Sequence, residues 1–298
     1  MTRGGVTRGE GVLLRRMTLT LAACGLLLTN CGRPATIPDS APIPAATLMP
    51  TPTGPPPPTS SPPSPSAAPA DSGWVAAAPG AELRRLRADL GGGIMAQVSV
   101  VRLDPARVRF QVGYAPDSPH ALTSWAHISG AMAVINGGFF DAQNHTVSLL
   151  VTGGQAIGES YSGRGGMFSV APDGAVRLRG LAEAPYDPSE ALAEALQGWP
   201  LLVQPGGAAT YSFEDNDRSR RSALAIDRAG RVLLIASPSA AFTLAGFSAW
   251  LAGSDLEIDT AVNLDGGSST GLLLAGAEAN ERVEAFVALP IVLLALPR

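Results

Sequence analysis

Beyond residue 94, short apolar runs rich in Val, Ile and Leu alternate with clusters of Gly, Pro, Asp and Asn. Runs of that length bounded by such punctuation predict β-strands joined by turns. Strands are predicted at residues 95–103 and 107–114, joined by the turn Asp104-Pro105, and then at 131–135, 147–151, 167–170, 175–178 and 199–203. Residues 222–226 and 231–236 read as a hairpin over Asp227-Arg228-Ala229-Gly230, and 260–264 as a buried strand that stops at Asp265-Gly266-Gly267. Helical spacing interrupts this pattern at Leu122, Trp125 and Ile128 within 121–129, and at Leu244, Phe247 and Leu251 within 243–251. A third helix is predicted over 188–196, with Pro188 suited to its first turn. The apolar stretch 286–296 is broken by Pro290 and is shorter than a membrane span, which assigns it to the last core strand. Strands outnumber helices and mostly follow one another directly. The expected fold class is therefore α+β: a single domain of mixed, largely antiparallel sheets with a few helices.

The first 70 residues follow different rules. Arg15-Arg16 precede a mostly apolar run at 17–29, the pattern of an export signal. That run falls short of the roughly 20 residues a membrane helix needs. A cysteine closing such a segment resembles a bacterial lipobox, and two compete. Leu21-Ala22-Ala23-Cys24 has the better residue types, but it leaves only a short apolar segment. Cys31 follows a full-length segment and leads straight into Pro-rich chain, so it is the preferred lipidation site, with a plain secretory signal as the alternative. Of 26 prolines, 14 lie between Pro34 and Pro69, and no charged residue occurs from Ser40 to Ala70. Such chain cannot bury enough apolar surface to offset its ordering entropy. The expected organisation is an export segment at 1–31, a disordered linker at 32–73 and one domain at 74–298. The protein is expected outside the cytoplasm, lipid-anchored at the membrane surface or secreted, with the lipid as its only membrane contact.

Charge and composition narrow the chemistry. The net charge of −4 gives no electrostatic footprint for nucleic acid. Both cysteines are N-terminal, so the domain has neither a disulfide framework nor a thiolate metal site. His120, His127 and His145 leave little material for a zinc centre. No metal and no cofactor are expected. Walker and Rossmann spacings are absent, and no serine has the Gly-x-Ser-x-Gly context of a hydrolase elbow.

Three segments share one design, an apolar strand meeting small or polar residues. They are Ala133-Val134-Ile135 into Asn136-Gly137-Gly138-Phe139-Phe140-Asp141, Arg220-Arg221-Ser222-Ala223-Leu224, and Ala261-Val262-Asn263-Leu264 into Asp265-Gly266-Gly267-Ser268-Ser269. A glycine pair after a strand permits a turn with positive φ and lets a ligand approach backbone N–H groups. Successive N–H groups in such a turn form an anion nest.

In order and wording these segments resemble the phosphodiester glycosidase domain family over residues 94–296. Residues 133–141 are similar to the family's Asn-Gly/Ala-Gly-Phe-Phe segment, and Arg221-Ser222-Ala223-Leu224 to its Arg-Thr-Ala-Ile segment. Asn263-Leu264-Asp265-Gly266-Gly267-Ser268-Ser269 resembles its Asn-Leu-Asp-Gly-Gly-Gly-Ser, the most specific of the three. Two positions depart. Ala225 stands where the family usually has Gly, beside Arg221 and so capable of remodelling the pocket, and Ser268 stands where a third Gly is usual.

The resemblance implies an exported hydrolase that cleaves the anomeric C–O bond of a sugar-phosphate diester in envelope or extracellular glycans. Asp265 is then the catalytic carboxylate, Arg221 and the nest of Gly266, Gly267 and Ser268 meet the phosphate, and Asn136 bonds sugar hydroxyls or phosphate. Gly137, Gly138, Phe140, Asp141 and Ser269 complete the expected binding site, with Phe139 or Phe140 as the floor under the sugar. Glycosidases usually pair two carboxyl groups, and Asp141 and Glu159 are the candidates for the second. Two other readings stay open: a non-catalytic module that binds phosphorylated glycans, and a phosphodiesterase that cuts P–O.

Overall fold

Along the strand Ser219–Asp227, Leu224 turns to one side while Ala223 and Ala225 turn to the other, and none of the three is exposed. A strand apolar on both faces must be covered on both, and this requirement sets the layers of the domain. The structure, a computed structural model, describes residues 71–298. The expected export segment, Cys24, Cys31 and residues 32–70 of the expected linker lie outside the described residues.

Ser219–Asp227 sits inside an eight-stranded sheet. The order is Val75–Ala78, Ala81–Asp89, Met95–Leu103, Val232–Phe242, Ser219–Asp227, Ile258–Asn263, Leu201–Gln204 and Ala208–Ala209. A five-stranded sheet runs Asn280–Val283, Leu272–Ala275, Ala133–Asn136, Ile291–Pro297 and Val108–Tyr114. A second five-stranded sheet runs Gln155–Ile157, Leu150–Thr152, Glu194–Gly198, Gly166–Val170 and Val176–Gly180. Every ladder between these strands is antiparallel. The sheets share one core, to which Leu103, Phe110, Ile135, Phe168, Leu224, Val262 and Leu293 contribute.

Two α-helices cover outer faces. Leu244–Gly253 sets Phe247 and Leu251 against Ala223, Ala225 and Ile235 of the eight-stranded sheet. Its first turn is capped by Thr243, whose hydroxyl oxygen accepts from the Gly246 N–H at 3.0 Å. Leu122–Ser129 packs Leu122 and Trp125 on Val134, Val292 and Leu294, and Gly130 ends it in the left-handed conformation. No helix among the described residues is long and apolar enough to cross a membrane.

The largely antiparallel α+β domain was legible; some elements were not. Residues 188–196 form no helix. Asp187 starts a tight turn, accepting from the Ser189 N–H and hydroxyl, and the chain then enters the strand Glu194–Gly198. Helix propensity is worth tenths of a kcal/mol per residue. A slot between two strands satisfies backbone groups on both sides and buries all five residues. The last strand starts at Ile291, after Pro290, and leaves Phe286 exposed. The strands Val75–Ala78, Ala81–Asp89 and Leu272–Ala275 were not anticipated. Asp71 already belongs to the folded part: it bridges Leu86, and its carboxylate takes two hydrogen bonds from the buried Arg84, at 2.9 and 2.5 Å.

Phe168 is wholly buried, and its ring meets Phe110 edge-on with centroids 5.6 Å apart. Phe168→Ala is expected to lower unfolding stability by about 3–5 kcal/mol, measured by urea titration. A loss below about 1 kcal/mol would show that the sheets do not close on this residue.

Candidate active site

The site grows from strand ends. Asn136 closes the strand Ala133–Asn136 with no exposed surface. Its Oδ1 accepts from the Ser222 hydroxyl at 2.7 Å and from the Gly271 N–H at 3.1 Å. Its Nδ2 donates to the Asp265 carbonyl at 2.7 Å and more weakly to the Gly137 carbonyl at 3.4 Å. Both ends of the amide are thus committed inside the protein. Asn136, expected to reach substrate, instead ties three chain segments together.

Gly137 and Gly138 also differ from expectation. Neither has a positive φ. A Cβ on Gly138 would stand 2.5 Å from the Gln197 carbonyl oxygen, so glycine is needed there for close approach of two backbones. Gly267 is the member of the second pair that needs a left-handed conformation, at φ 58°. The Gly266 N–H, expected in an anion nest, donates to the Asp265 carboxylate at 2.9 Å. Ser268 is exposed and Ser269 buried, in a short 3-10 turn over Gly267–Ser269.

Asp265 follows the strand Ile258–Asn263, and its N–H donates to the Gly137 carbonyl at 3.1 Å. Burial pushes its pKa above the ordinary 3.8, while hydrogen bonds from Ser269 and the Gly266 N–H pull it back. The carboxyl is half-buried at the surface of the strand ends.

Nearby, Phe139, Tyr161, Arg164 and Trp199 line a small cavity of about 130 Å³. The Tyr161 phenol, bonded to Ser148, has its pKa pushed up by burial; the Asp265 charge adds to the rise, and Ser148 and Arg164 oppose it. The Arg164 guanidinium lies 5.3 Å from the Tyr161 ring centre and 6.0 Å from that of Trp199. Phe139 is the phenylalanine of the cavity. Phe140, expected in the site, packs on the core.

The loop that carries Tyr161 and Arg164 is held by Gln197. Its Oε1 accepts from the Tyr161 N–H at 3.0 Å and its Nε2 donates to the Ser160 hydroxyl at 2.7 Å. Asn263 donates to the Trp199 carbonyl at 2.8 Å and so sets the other wall.

The remaining expected residues do not line this cavity. Arg221 is buried; its Nε donates to the Phe242 carbonyl at 3.2 Å and its Nη2 to the Asp217 carbonyl at 2.6 Å. Burial lowers its pKa, opposed by Asp217, Asp215 and Tyr211. Ala225 packs in the core beneath the helix Leu244–Gly253 and lines no pocket wall beside Arg221. Asp141 is a turn residue, accepting at 2.9 Å from the N–H groups of both Gln143 and His145. Glu159 is exposed. Tyr161, Arg164, Trp199, Ser148 and Gln197 were missed. The one sequence signal for them is a tyrosine and an arginine set within Gly158-Glu159-Ser160-Tyr161-Ser162-Gly163-Arg164-Gly165.

Three larger hollows, of about 560, 350 and 300 Å³, lie elsewhere. Most of their arginines are already paired, Arg102 with Glu82 and Arg231 with Asp227 in the first, Arg85 with Glu281 and Arg282 with Glu284 in the second. The smaller cavity is the better site because its wall residue Tyr161 feels the charge of Asp265, the acid at the strand ends. Among the described residues no group of three or more His, Cys, Asp and Glu is arranged to hold a metal ion.

Phe139, Tyr161 and Trp199 thus wall a small cleft with the Arg164 guanidinium in its lining, and the Asp265 charge acts on Tyr161. The chain belongs to the phosphodiester glycosidase family: residues 129–289, more than half of its length, match the family's sequence model. Its fold is similar to that of the zebrafish N-acetylglucosamine-1-phosphodiester alpha-N-acetylglucosaminidase catalytic domain, auto-inhibited by its pro-peptide. The TM-score is 0.59 at 17% identity, over 78% of this chain and 85% of that one. A hypothetical protein from Synechocystis has a similar fold, with a TM-score of 0.55 at 16% identity, over 74% of this chain and 62% of that one. No curated protein matches the chain.

Two outcomes test this geometry. Asn136→Ala strands the Ser222 hydroxyl, the Gly271 N–H and the Asp265 carbonyl, with an expected cost of about 1–3 kcal/mol for each group left without a partner, read from urea unfolding. Asp265 titrates with a definite sign. Its folded pKa lies above the unfolded value of about 3.9, so the folded chain binds this proton more tightly. Stability therefore falls as pH rises from the unfolded to the folded pKa, and the loss persists above it. Asp265→Asn removes that loss, so its Tm gain over the parent is expected to be larger at pH 7 than near pH 3. An equal gain at both pH values would rule out the raised pKa.

Proposed function

We propose that the protein is an exported glycosidase that hydrolyses the anomeric C–O bond of a sugar 1-phosphodiester in envelope or extracellular glycans. The supporting observation is Asp265, a carboxyl of raised pKa held at converging strand ends beside an aromatic-walled cavity. The export assignment rests on the N-terminal signal pattern, with Cys31 as the lipidated residue.

The reaction suits one well-placed carboxyl. The departing phosphate monoester has a second pKa of about 6, so it leaves with little need of a proton donor. What remains is to stabilise positive charge at the anomeric carbon and to direct water there. The Asp265 carboxylate does both, accepting the water proton as the new C–O bond forms and the bond to phosphate oxygen breaks. Its half-buried setting strengthens that attraction relative to open water. Asn136 and the Gly137 carbonyl hold the Asp265 backbone, making Asn136 a positioning residue. Phe139 and Trp199 offer apolar faces to a sugar ring. Asp141 is occupied in its turn, which leaves Glu159, on the loop of Tyr161, as the remaining candidate for a second carboxyl.

The full chain is expected to release free sugar from an N-acetylglucosamine 1-phosphodiester, the substrate class in the zebrafish relative's name. Asp265→Asn should lower kcat by about 10²-fold or more while the diester still binds. In ¹⁸O-labelled water the label should enter the sugar. Label in the phosphate would mean P–O cleavage, and binding without turnover would mean a glycan-binding module.

A further inference from the structure

The substrate proposed above carries a negative charge one bond from the reacting carbon, and three arginines lie within reach of the strand ends. Arg220 and Arg221 are both buried. Arg220 donates to the carbonyls of Pro238, Glu284 and, at 3.4 Å, Gly267, and its guanidinium is stacked 4.0 Å from the Phe286 ring centre. Arg221 is committed to the Phe242 and Asp217 carbonyls. Neither guanidinium can turn to a ligand without stranding carbonyl groups.

Arg164 differs on every count. It is exposed, makes no hydrogen bond or ion pair among the described residues, and lines the same cavity as Phe139, Tyr161 and Trp199. The rings of Tyr161 and Trp199 hold its guanidinium by cation–π attraction while leaving its five N–H donors available. Its root is fixed as well. Gln197 clamps the loop at Ser160 and Tyr161. Gly165, at φ 77°, sits where a Cβ would stand 2.5 Å from the Gly198 carbonyl oxygen, so only glycine lets the loop close there.

We infer that Arg164, not Arg221, grips the phosphodiester of the substrate, its planar fork spanning the two non-bridging oxygens while the sugar lies against Phe139 and Trp199. A single fork matches a single diester charge. The inference rests on the sugar 1-phosphodiester reading, and its test separates the two.

The full chain and its Arg164→Ala, Arg164→Lys and Arg221→Ala variants are assayed on an N-acetylglucosamine 1-phosphodiester and on the uncharged 4-nitrophenyl glycoside of the same sugar. Calorimetric binding of N-acetylglucosamine 1-phosphate runs alongside. For Arg164→Ala the diester KM is expected to rise about 10- to 100-fold, with the uncharged glycoside changed less than about twofold. Arg164→Lys, which keeps the charge without the fork, should fall between. An unchanged diester KM in Arg164→Ala, or an equal loss on both substrates, overturns the inference while leaving the glycosidase reading in place. If the parent turns over neither substrate, the glycosidase reading fails and calorimetry decides alone. Sugar phosphate binding lost on Arg164→Ala then still supports the anion grip, and absence of binding to the parent overturns it.

Discussion

The buried amide of Asn136 is the interaction on which the site depends. It stands at the end of one sheet and bonds to Ser222 of another, to Asp265 at the end of a third strand, and to Gly271, where the chain turns back. A buried polar group left without a partner costs about 1–3 kcal/mol, roughly twice what a typical hydrogen bond contributes. The three segments therefore meet in one arrangement or not at all. Asp265 owes its position to this knot and not to any ion pair. Glycine at 138 belongs to the same requirement, since backbones crowd there to the point where a side chain cannot fit.

The electrostatics follow from where the knot lies. Strand ends sit at the border between core and solvent, so the Asp265 carboxyl is desolvated enough to resist ionisation yet remains open to a ligand. The two neighbouring arginines on Ser219–Asp227 are deeper. Their charges are satisfied by carbonyl oxygens, which makes them braces between loops. Exposed positive charge is left to the loop that carries Arg164, whose guanidinium rests on aromatic rings. Half-buried acid and exposed cation thus come from different levels of the structure.

Much of this was legible in the sequence. The run Met95–Leu103 matches its strand in full, the hairpin over Asp227-Arg228-Ala229-Gly230 was readable from its turn, and both capped helices showed their periodicity. Asp265 stood out because an apolar strand stops there on an acid and two glycines. The failures share a cause. Alternation and composition report on one segment at a time, whereas Glu194–Gly198 became a strand because neighbours on both sides offered pairing. Arg221 adjoins a motif in sequence, but only the fold shows that its Nε and one Nη2 hydrogen brace the Phe242 and Asp217 carbonyls. Arg164 and Trp199 lie 35 residues apart, and only folding shows that they share a wall.

The loop from Gly158 to Gly165 is joined to the rest of the site chiefly through one glutamine, one serine and a glycine at its far end. The acid, by contrast, is woven into the meeting of sheets. Heredity can therefore rewrite the two independently. Substitutions along the loop reshape the cavity wall without touching the hydrogen bonds of Asn136, while changes at the knot act on the junction of the sheets. The shape of the cavity and the placing of Asp265 are thus set by two separate sets of contacts.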